Sequence, residues 1–484
     1  MFNVMENKFA RLGVIYVIGQ ILSKAISFIL LPIYIKQLGI IGYGQLSLVD
    51  AVLDFIASFT ILGIYSGYIR FYRDYSGKQQ ERLKNTAISF AFAMSLIDII
   101  LVLTVGKFTS NFIFNYEHSF YILILVLVRS IISQLVILLM CDYGLNFKAR
   151  INVTLNLVNL LLNLVFTFGL VVYKKRGIIG IYEGYILSNL IMFIYLMKVK
   201  DSKFKFEVDK DMLRNMLKFS VGLIPSCIAA TILTLSDRYF LKGFRDITAT
   251  GIYSVGYKFG MLIEPLFVSP FKQIFTPYKF SIWKDKDSQD KFNSFYFKYH
   301  FIGCFIVLAI CIYSKTMIIL LSSKDSIIAY KVVPLIAMAY FFYGKSSFYS
   351  MGIQIKNKTY YDGFIMLSAG AINLILNLIL IPKLGMYGAA VSTTISYLVM
   401  NCIYVRFSLP LYYIKFEGKK VYKIYFITFV LYSIYYVISI LNIFILFEII
   451  IGAVLLTSYI ICSVQFNLIS LKELRNYLVK IKKS

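Results

Sequence analysis

The stretch LVDAVLDF, residues 48–55, sets Asp50 and Asp54 four residues apart inside a long apolar run. On a helix that spacing puts both carboxylates on one face. Ser47 and Ser58 extend the same face, so residues 44–69 carry one polar stripe. Residues 12–35 carry another, formed by Tyr16, Gln20, Lys24 and Ser27, and residues 151–172 a third, formed by Asn152, Asn156, Asn159 and Asn163. Asp98, Arg129, the pair Asp237–Arg238, Lys258 and Glu264 place further charges in other apolar runs. A charge in hydrocarbon costs roughly 2.5–3.5 kcal/mol on insertion scales, so it must face a partner or a wet cavity. The asparagines fit hydrogen-bonding glue between helices at least as well as a cavity wall. For the charges, recurrence at mid-depth favours the cavity. Bases there would attract an anionic ligand, and acids would balance them or carry a coupling ion, H+ or Na+. Lys24 lies about 18 Å up its run at 1.5 Å per residue, level with Asp54. Asp50 and Asp54 are therefore expected to face an inner cavity, balanced by Lys24 or Arg129.

Other chemistries lack the residues they need. His118 and His300 are the only histidines and lie far apart. The six cysteines fall mainly in apolar runs, with no CxxC spacing. Neither a Ser-His-Asp triad, a zinc site nor a disulfide framework is expected, and no resident cofactor. There is no Walker lysine motif.

The elements that must position these residues follow from composition. Of the 484 residues 59% are hydrophobic and 15% charged, and mean hydropathy is +0.75. Apolar runs near 20 residues long recur throughout, which specifies an all-α polytopic membrane protein. About 14 transmembrane helices are expected, near 12–35, 44–69, 86–106, 119–142, 151–172, 179–197, 219–241, 249–277, 294–321, 327–350, 359–381, 387–405, 424–441 and 446–467. An even number puts both termini on one side. The connections on that side hold 32 Lys and Arg against 9 on the other. By the positive-inside rule both termini are expected in the cytoplasm. The net charge of +26 is then mainly a topology signal. Anionic lipid head groups are a secondary partner, and nucleic acid is not expected. No loop on the far side exceeds about a dozen residues, too little for the acceptor-holding domain of a membrane glycosyltransferase.

The chain also resembles itself. LGIIGYG (38–44) matches TATGIYSVGYKFG (248–260), with Gly42 and Gly251 aligned. NLLLNLVF (159–166) matches NLILNLIL (373–380), and RGIIGIYEGYILSN (176–189) matches LGMYGAAVSTTISY (384–397). This order gives two six-helix repeats in parallel orientation plus two C-terminal helices. The expected parts are 1–197, a basic cytoplasmic linker 198–218, a second repeat 219–408, two added helices over 409–467, and a basic tail 468–484. Proteins of this plan usually bind a ligand between the repeats and rock around it. Pro225, Pro265, Pro270, Pro277 and Pro334 fall in or near the spans, where each permits a kink.

Three segments resemble a known family: SKAISFILLPIYIKQLGIIGYGQLSLVDAV (23–52), LSDRYFLKGFRDITATGIYSVGYKFG (235–260) and AGAINLILNLILIPKLGMYGAAVSTTISYLV (369–399). They look like the recurring segments of the polysaccharide biosynthesis export proteins. These are the Wzx-type oligosaccharide flippases, in the MATE-like (MOP) superfamily with the MATE drug exporters and lipid II flippases. The resemblance implies a non-enzymatic carrier in the bacterial cytoplasmic membrane. It would move an undecaprenyl-diphosphate-linked repeat unit outward for O-antigen or capsule synthesis, beside glycosyltransferases and a polymerase. It also implies a cationic central cavity, onto which Lys24, Arg129, Arg238 and Lys258 map as candidates. Only the Asp237–Arg238 region matches a motif. The rival readings are a MATE-type drug or cation antiporter and a membrane glycosyltransferase or polymerase.

Overall fold

A computed structural model describes residues 30–53, 64–113, 118–146, 148–199, 205–222, 224–356, 360–441 and 444–469, with a few isolated positions. Among these residues every regular element is a helix. Helix α1 covers 30–53. It is followed by α2 (Ile64–Phe71), α3 (Lys78–Ile113), α4 (Ser119–Leu145), α5 (Ala149–Phe168), α6 (Gly177–Val199), α7 (Lys210–Val221), α8 (Ile224–Phe244) and α9 (Ile247–Gly260). The second half runs through α10 (Ser269–Ile282), α11 (Ser288–Leu321), α12 (Val333–Tyr349), α13 (Met351–Ile355), α14 (Tyr360–Leu384), α15 (Met386–Ser408), α16 (Gly418–Ile440) and α17 (Ile445–Gln465).

Nine of the described helices are long and apolar enough to cross a membrane, or up to 11 if each bent pair is one span. They coincide with eleven of the runs expected from sequence. The runs 12–35 and 44–69 lie partly outside the described residues. The run 249–277 does not form one continuous span. It breaks after Gly260 into a π-helical segment, Glu264–Val268, before α10 begins. Pro265 accounts for the break, since it cannot donate its backbone bond. Two other prolines also mark bends. Pro225 follows the 41° bend between α7 and α8, and Pro334 follows the 45° bend before α12.

Of four described glycines with positive φ, three share a local pattern. Gly39, Gly177 and Gly385 have φ of +68°, +58° and +58°. That left-handed conformation costs a side chain about 1–2 kcal/mol and departs from right-handed helix geometry. Gly39 places it within α1, Gly177 and Gly385 at helix boundaries. Gly177 thus opens α6 and Gly385 separates α14 from α15. Each is followed three residues later by a second glycine, and at Gly180 and Gly388 this lets the helices close up. A Cβ on Gly180 would meet Leu170, and one on Gly388 would meet the Leu380 carbonyl at 2.4 Å.

By packing, the chain divides into two compact units. The first comprises Met1–Ser254 and Met366–Ala389. Here α6 packs between α4 and α5, α4 against α3, and α2 against α7. The α2–α3–α4 end is built on Tyr68, Leu139, Met140, Leu196 and Met216. Lys84 is buried there and pairs with Asp142 at 3.0 Å, while Tyr68 donates to the same carboxylate at 2.5 Å. The basic count from sequence assigned Lys84 to a solvated loop; it sits instead inside α3.

The second unit comprises Val255–Ile365 and Ala390–Ser484. Helix α11 is its hub, contacting α12, α16 and α17. The interior is aromatic: Phe271, Phe275, Tyr299, Phe341 and Phe348 stack in one cluster. At the turn before α11, Lys291 donates to Asp287 at 2.9 Å and holds its carboxyl below the ordinary range.

Candidate functional site

In the first unit, the polar stripe of α1 is flanked by an arginine on each side. Asp50 accepts from the Tyr182 hydroxyl at 2.8 Å, and the Arg129 guanidinium lies 3.5 Å from the same oxygen. Arg129 comes from α4 and stacks 3.7 Å above the Tyr185 ring centroid, with Tyr182 at 5.4 Å. Two aromatic faces thus attract the cation without neutralising it. The Asp50 side chain is 50% exposed and that of Arg129 only 17%. An ionised carboxylate left half open in an apolar span needs water or a ligand beside it. Asp50 is thus partnered by Arg129 and Tyr182 and left half open on its remaining side. Asp54 and Lys24 lie outside the described residues, so their expected pairing is not seen.

The other side of α1 is tied to α8 and α9. Ser47 and Ser254 share a hydrogen bond of 2.6 Å. Arg238 donates to the Ser254 hydroxyl at 3.4 Å and to the Thr234 carbonyl at 3.2 Å, and Tyr239 reaches the Leu48 carbonyl at 3.2 Å. The helices can approach this closely because α1 and α9 cross at two glycines. A Cβ on Gly44 would meet the Ile247 carbonyl at 2.4 Å, and one on Gly251 would meet the Ile40 carbonyl at 2.2 Å. Gly251 is thus more than a marker of the repeat; it is the contact itself.

The remaining expected residues are not gathered at one place. Asp237 is only 1% exposed and accepts from the Tyr253 hydroxyl of α9. Asp98 is half-buried on α3. Asn156 is exposed and donates within its own helix, to Asn152. Asn159 donates to Asn189 of α6 at 3.2 Å. In the matching motif of the second repeat, Asn373 and Asn377 bond to each other and to Ser236 of α8. Asn159, Asn373 and Asn377 thus bond between helices, whereas Asn156 bonds within its own.

The second unit holds Lys258 and Glu264, expected from sequence, and cations that sequence reasoning passed over, among them Lys272, Lys279 and Lys345. Lys258 is half-buried on α9, and Glu264 opens the π-helical segment within electrostatic reach of Lys272. Lys272 stands 3.5 Å over the Tyr343 ring. Lys279, seven residues on and only 1% exposed, donates to Gln354. It was counted with a cytoplasmic loop, yet it lies inside α10. Lys345 is set among the rings of Tyr296, Tyr349 and Tyr425 at 5.4–5.9 Å. The available signal was the 272/279 spacing, which puts both lysines on one helix face. Among the described residues no group of three or more His, Cys, Asp or Glu could hold a metal ion.

A family model described as polysaccharide biosynthesis protein matches residues 10–283. The Lsg locus protein 1 of Haemophilus influenzae is 25% identical over 285 residues, 57% of this chain and 66% of that protein. An uncharacterized membrane protein of the same species is 20% identical over 268 residues, 55% of this chain and 64% of that one. The chain thus spans just under two thirds of either relative's length. Among solved structures, the lipid II flippase MurJ in an inward closed conformation is similar with a TM-score of 0.76 and 17% identity. That match covers 94% of this chain and 100% of MurJ. An inward-facing MATE multidrug transporter gives a TM-score of 0.64 at 12% identity, covering 80% and 94%. At such identities the likeness is one of fold.

Proposed function

Because this chain belongs to the polysaccharide biosynthesis protein family, we propose that it is a flippase carrying an undecaprenyl-diphosphate-linked oligosaccharide across the bacterial cytoplasmic membrane. The family and the fold are those of transporters and flippases rather than enzymes. Movement is by alternating access, the two six-helix repeats rocking around the bound headgroup. The observation that carries this reading is the Arg129 site: a cation held between two tyrosine rings, beside a carboxylate that is half open. Such a cation offers charge-assisted hydrogen bonds to a diphosphate, and tyrosine faces suit sugar rings. Surface polysaccharide polymerases and glycosyltransferases are then the enzymes that supply and consume the cargo.

The test is flipping in vesicles reconstituted with a defined lipid-linked sugar. Arg129→Gln should lower the rate at least about tenfold, the loss of one charge-assisted contact, with the melting temperature close to that of the parent. Unchanged flipping would remove Arg129 from the path. The half-open Asp50 is the one feature favouring a MATE-type drug or cation antiporter instead. Efflux of an organic cation driven by a proton or sodium gradient, abolished in Asp50→Asn while lipid-linked sugar stays put, would establish that alternative.

Orientation is tested separately. Reporter fusions after residues 80, 205, 285 and 415 should all report the cytoplasm. An external signal at 205 would overturn both the orientation and the two-repeat plan.

A further inference from the structure

We propose that the linker helix α7 is a docking site for one anionic phospholipid, its phosphate held by Lys210, Arg214 and Lys218. These three residues recur every fourth position, so they form one row along the helix. Leu213, Leu217 and Val221 recur in the same way and form the adjacent row. Together the six side chains line an open hollow of about 660 Å³. The cations are exposed, while Leu213 and Leu217 are half-buried and Val221 is exposed. A helix face turned simply to water would not set an apolar row at an open hollow. Basic and apolar rows side by side are the pattern of a helix lying at a membrane interface. Phe206 and Phe219, both exposed, add aromatic surface to the same linker.

The face is also held still. Asp209 caps α7 by accepting from the backbone of Asp211 and Met212. Arg82 of α3 pairs with Glu207 at 2.9 Å and Asp209 at 3.4 Å. The opposite side of α7 buries Met212, Met216 and Ser220, and Ser220 accepts from the Gly67 amide of α2 at 3.1 Å. A helix anchored in this way needs no backbone ordering when a ligand arrives. Charge selects an anion; the apolar row selects one that carries acyl chains. A lipid with a single phosphate meets both demands.

Native mass spectrometry of the whole protein in detergent tests this, with phosphatidylglycerol, phosphatidylcholine and inorganic phosphate as probes. The protein should retain phosphatidylglycerol over phosphatidylcholine. Lys210→Gln/Arg214→Gln/Lys218→Gln should weaken that retention about a hundredfold, from roughly fivefold per cation. Lys210→Arg/Lys218→Arg should keep it. Leu213→Asn/Leu217→Asn should weaken phosphatidylglycerol and leave inorganic phosphate unchanged. Equal retention by the triple glutamine variant and the parent would overturn the proposal. So would loss in the charge-keeping variant, or inorganic phosphate binding as tightly as the lipid. The measurement reads binding alone, so its outcome is independent of whether the chain flips lipid-linked sugars.

Discussion

Glu448→Gln should destabilise the protein by about 3–5 kcal/mol, the usual cost of stripping one partner from a buried ion pair. Glu448 of α17 lies 2.7 Å from the Lys315 ammonium of α11, and the two side chains are 1% and 7% exposed. Lys315 also donates to the Ser439 carbonyl of α16 at 2.8 Å, and Thr316 reaches the second Glu448 oxygen at 3.4 Å. One ion pair therefore ties both C-terminal spans to the hub of the second unit. With glutamine the ammonium loses its counter-charge in a site that water does not reach. Adding Lys315→Met should restore most of the loss, because the buried ammonium left without a counter-charge is then gone. Thermal unfolding in detergent of the two single variants and the double variant measures the coupling. A loss below about 1 kcal/mol in Glu448→Gln, the range of exposed pairs, would show that the pair is open to solvent after all.

Gly251→Leu should be nearly as damaging, through shape rather than charge. Even a single added carbon would lie 2.2 Å from the Ile40 carbonyl, which is helix backbone and cannot swing aside. Helices α1 and α9 would have to part, breaking the Ser47–Ser254 bond and loosening Arg238. A loss of about 3 kcal/mol or more is expected, at the upper end for overpacking. Gly243→Ala is the control. No atom lies within 4 Å of its Cβ position inside α8, so alanine should stabilise by up to about 1 kcal/mol. Melting temperatures of the two variants should move in opposite directions; parallel shifts would refute the close crossing.

How much of this was legible in the chain alone depends on how local each cause is. Span length and hydrophobicity are local, so eleven of the expected runs stand as helices or bent helix pairs. The break at Glu264–Val268 was foreshadowed by Pro265 and Pro270, yet hydropathy alone ran straight across it. Ion pairs are not local. Arg129 and Asp50 are 79 positions apart, and Lys315 and Glu448 are 133 apart. Arg129 and Asp50 stood out because they interrupt apolar runs, so Arg129 was expected as one of two partners for the acids of the stripe. Lys315 and Glu448 lie near span ends, where a charge raises no alarm. Lys84 and Lys279 were read as loop charges for the same reason, since a hydropathy boundary cannot say which way a terminal lysine points. The asparagine motifs repeat visibly at 159–163 and 373–377, but their partners on α6 and α8 do not.

The left-handed turn at Gly177 bears on how the chain is made. Lys174, Lys175 and Arg176 precede it, three basic residues in a row on the side expected to be poor in them. Charge alone would hold that turn back in the cytoplasm during synthesis. Arg176 is engaged by Glu183 at 2.8 Å, and its amide is bonded to the Leu170 carbonyl, so the turn closes on itself with residues from 170 to 183 alone. A hairpin built from such short-range contacts can form as soon as both helices have left the ribosome. Helices α5 and α6 would then be delivered to the bilayer as one folded pair, their antiparallel arrangement fixed by contacts within the turn, with the basic residues partly neutralised by Glu183.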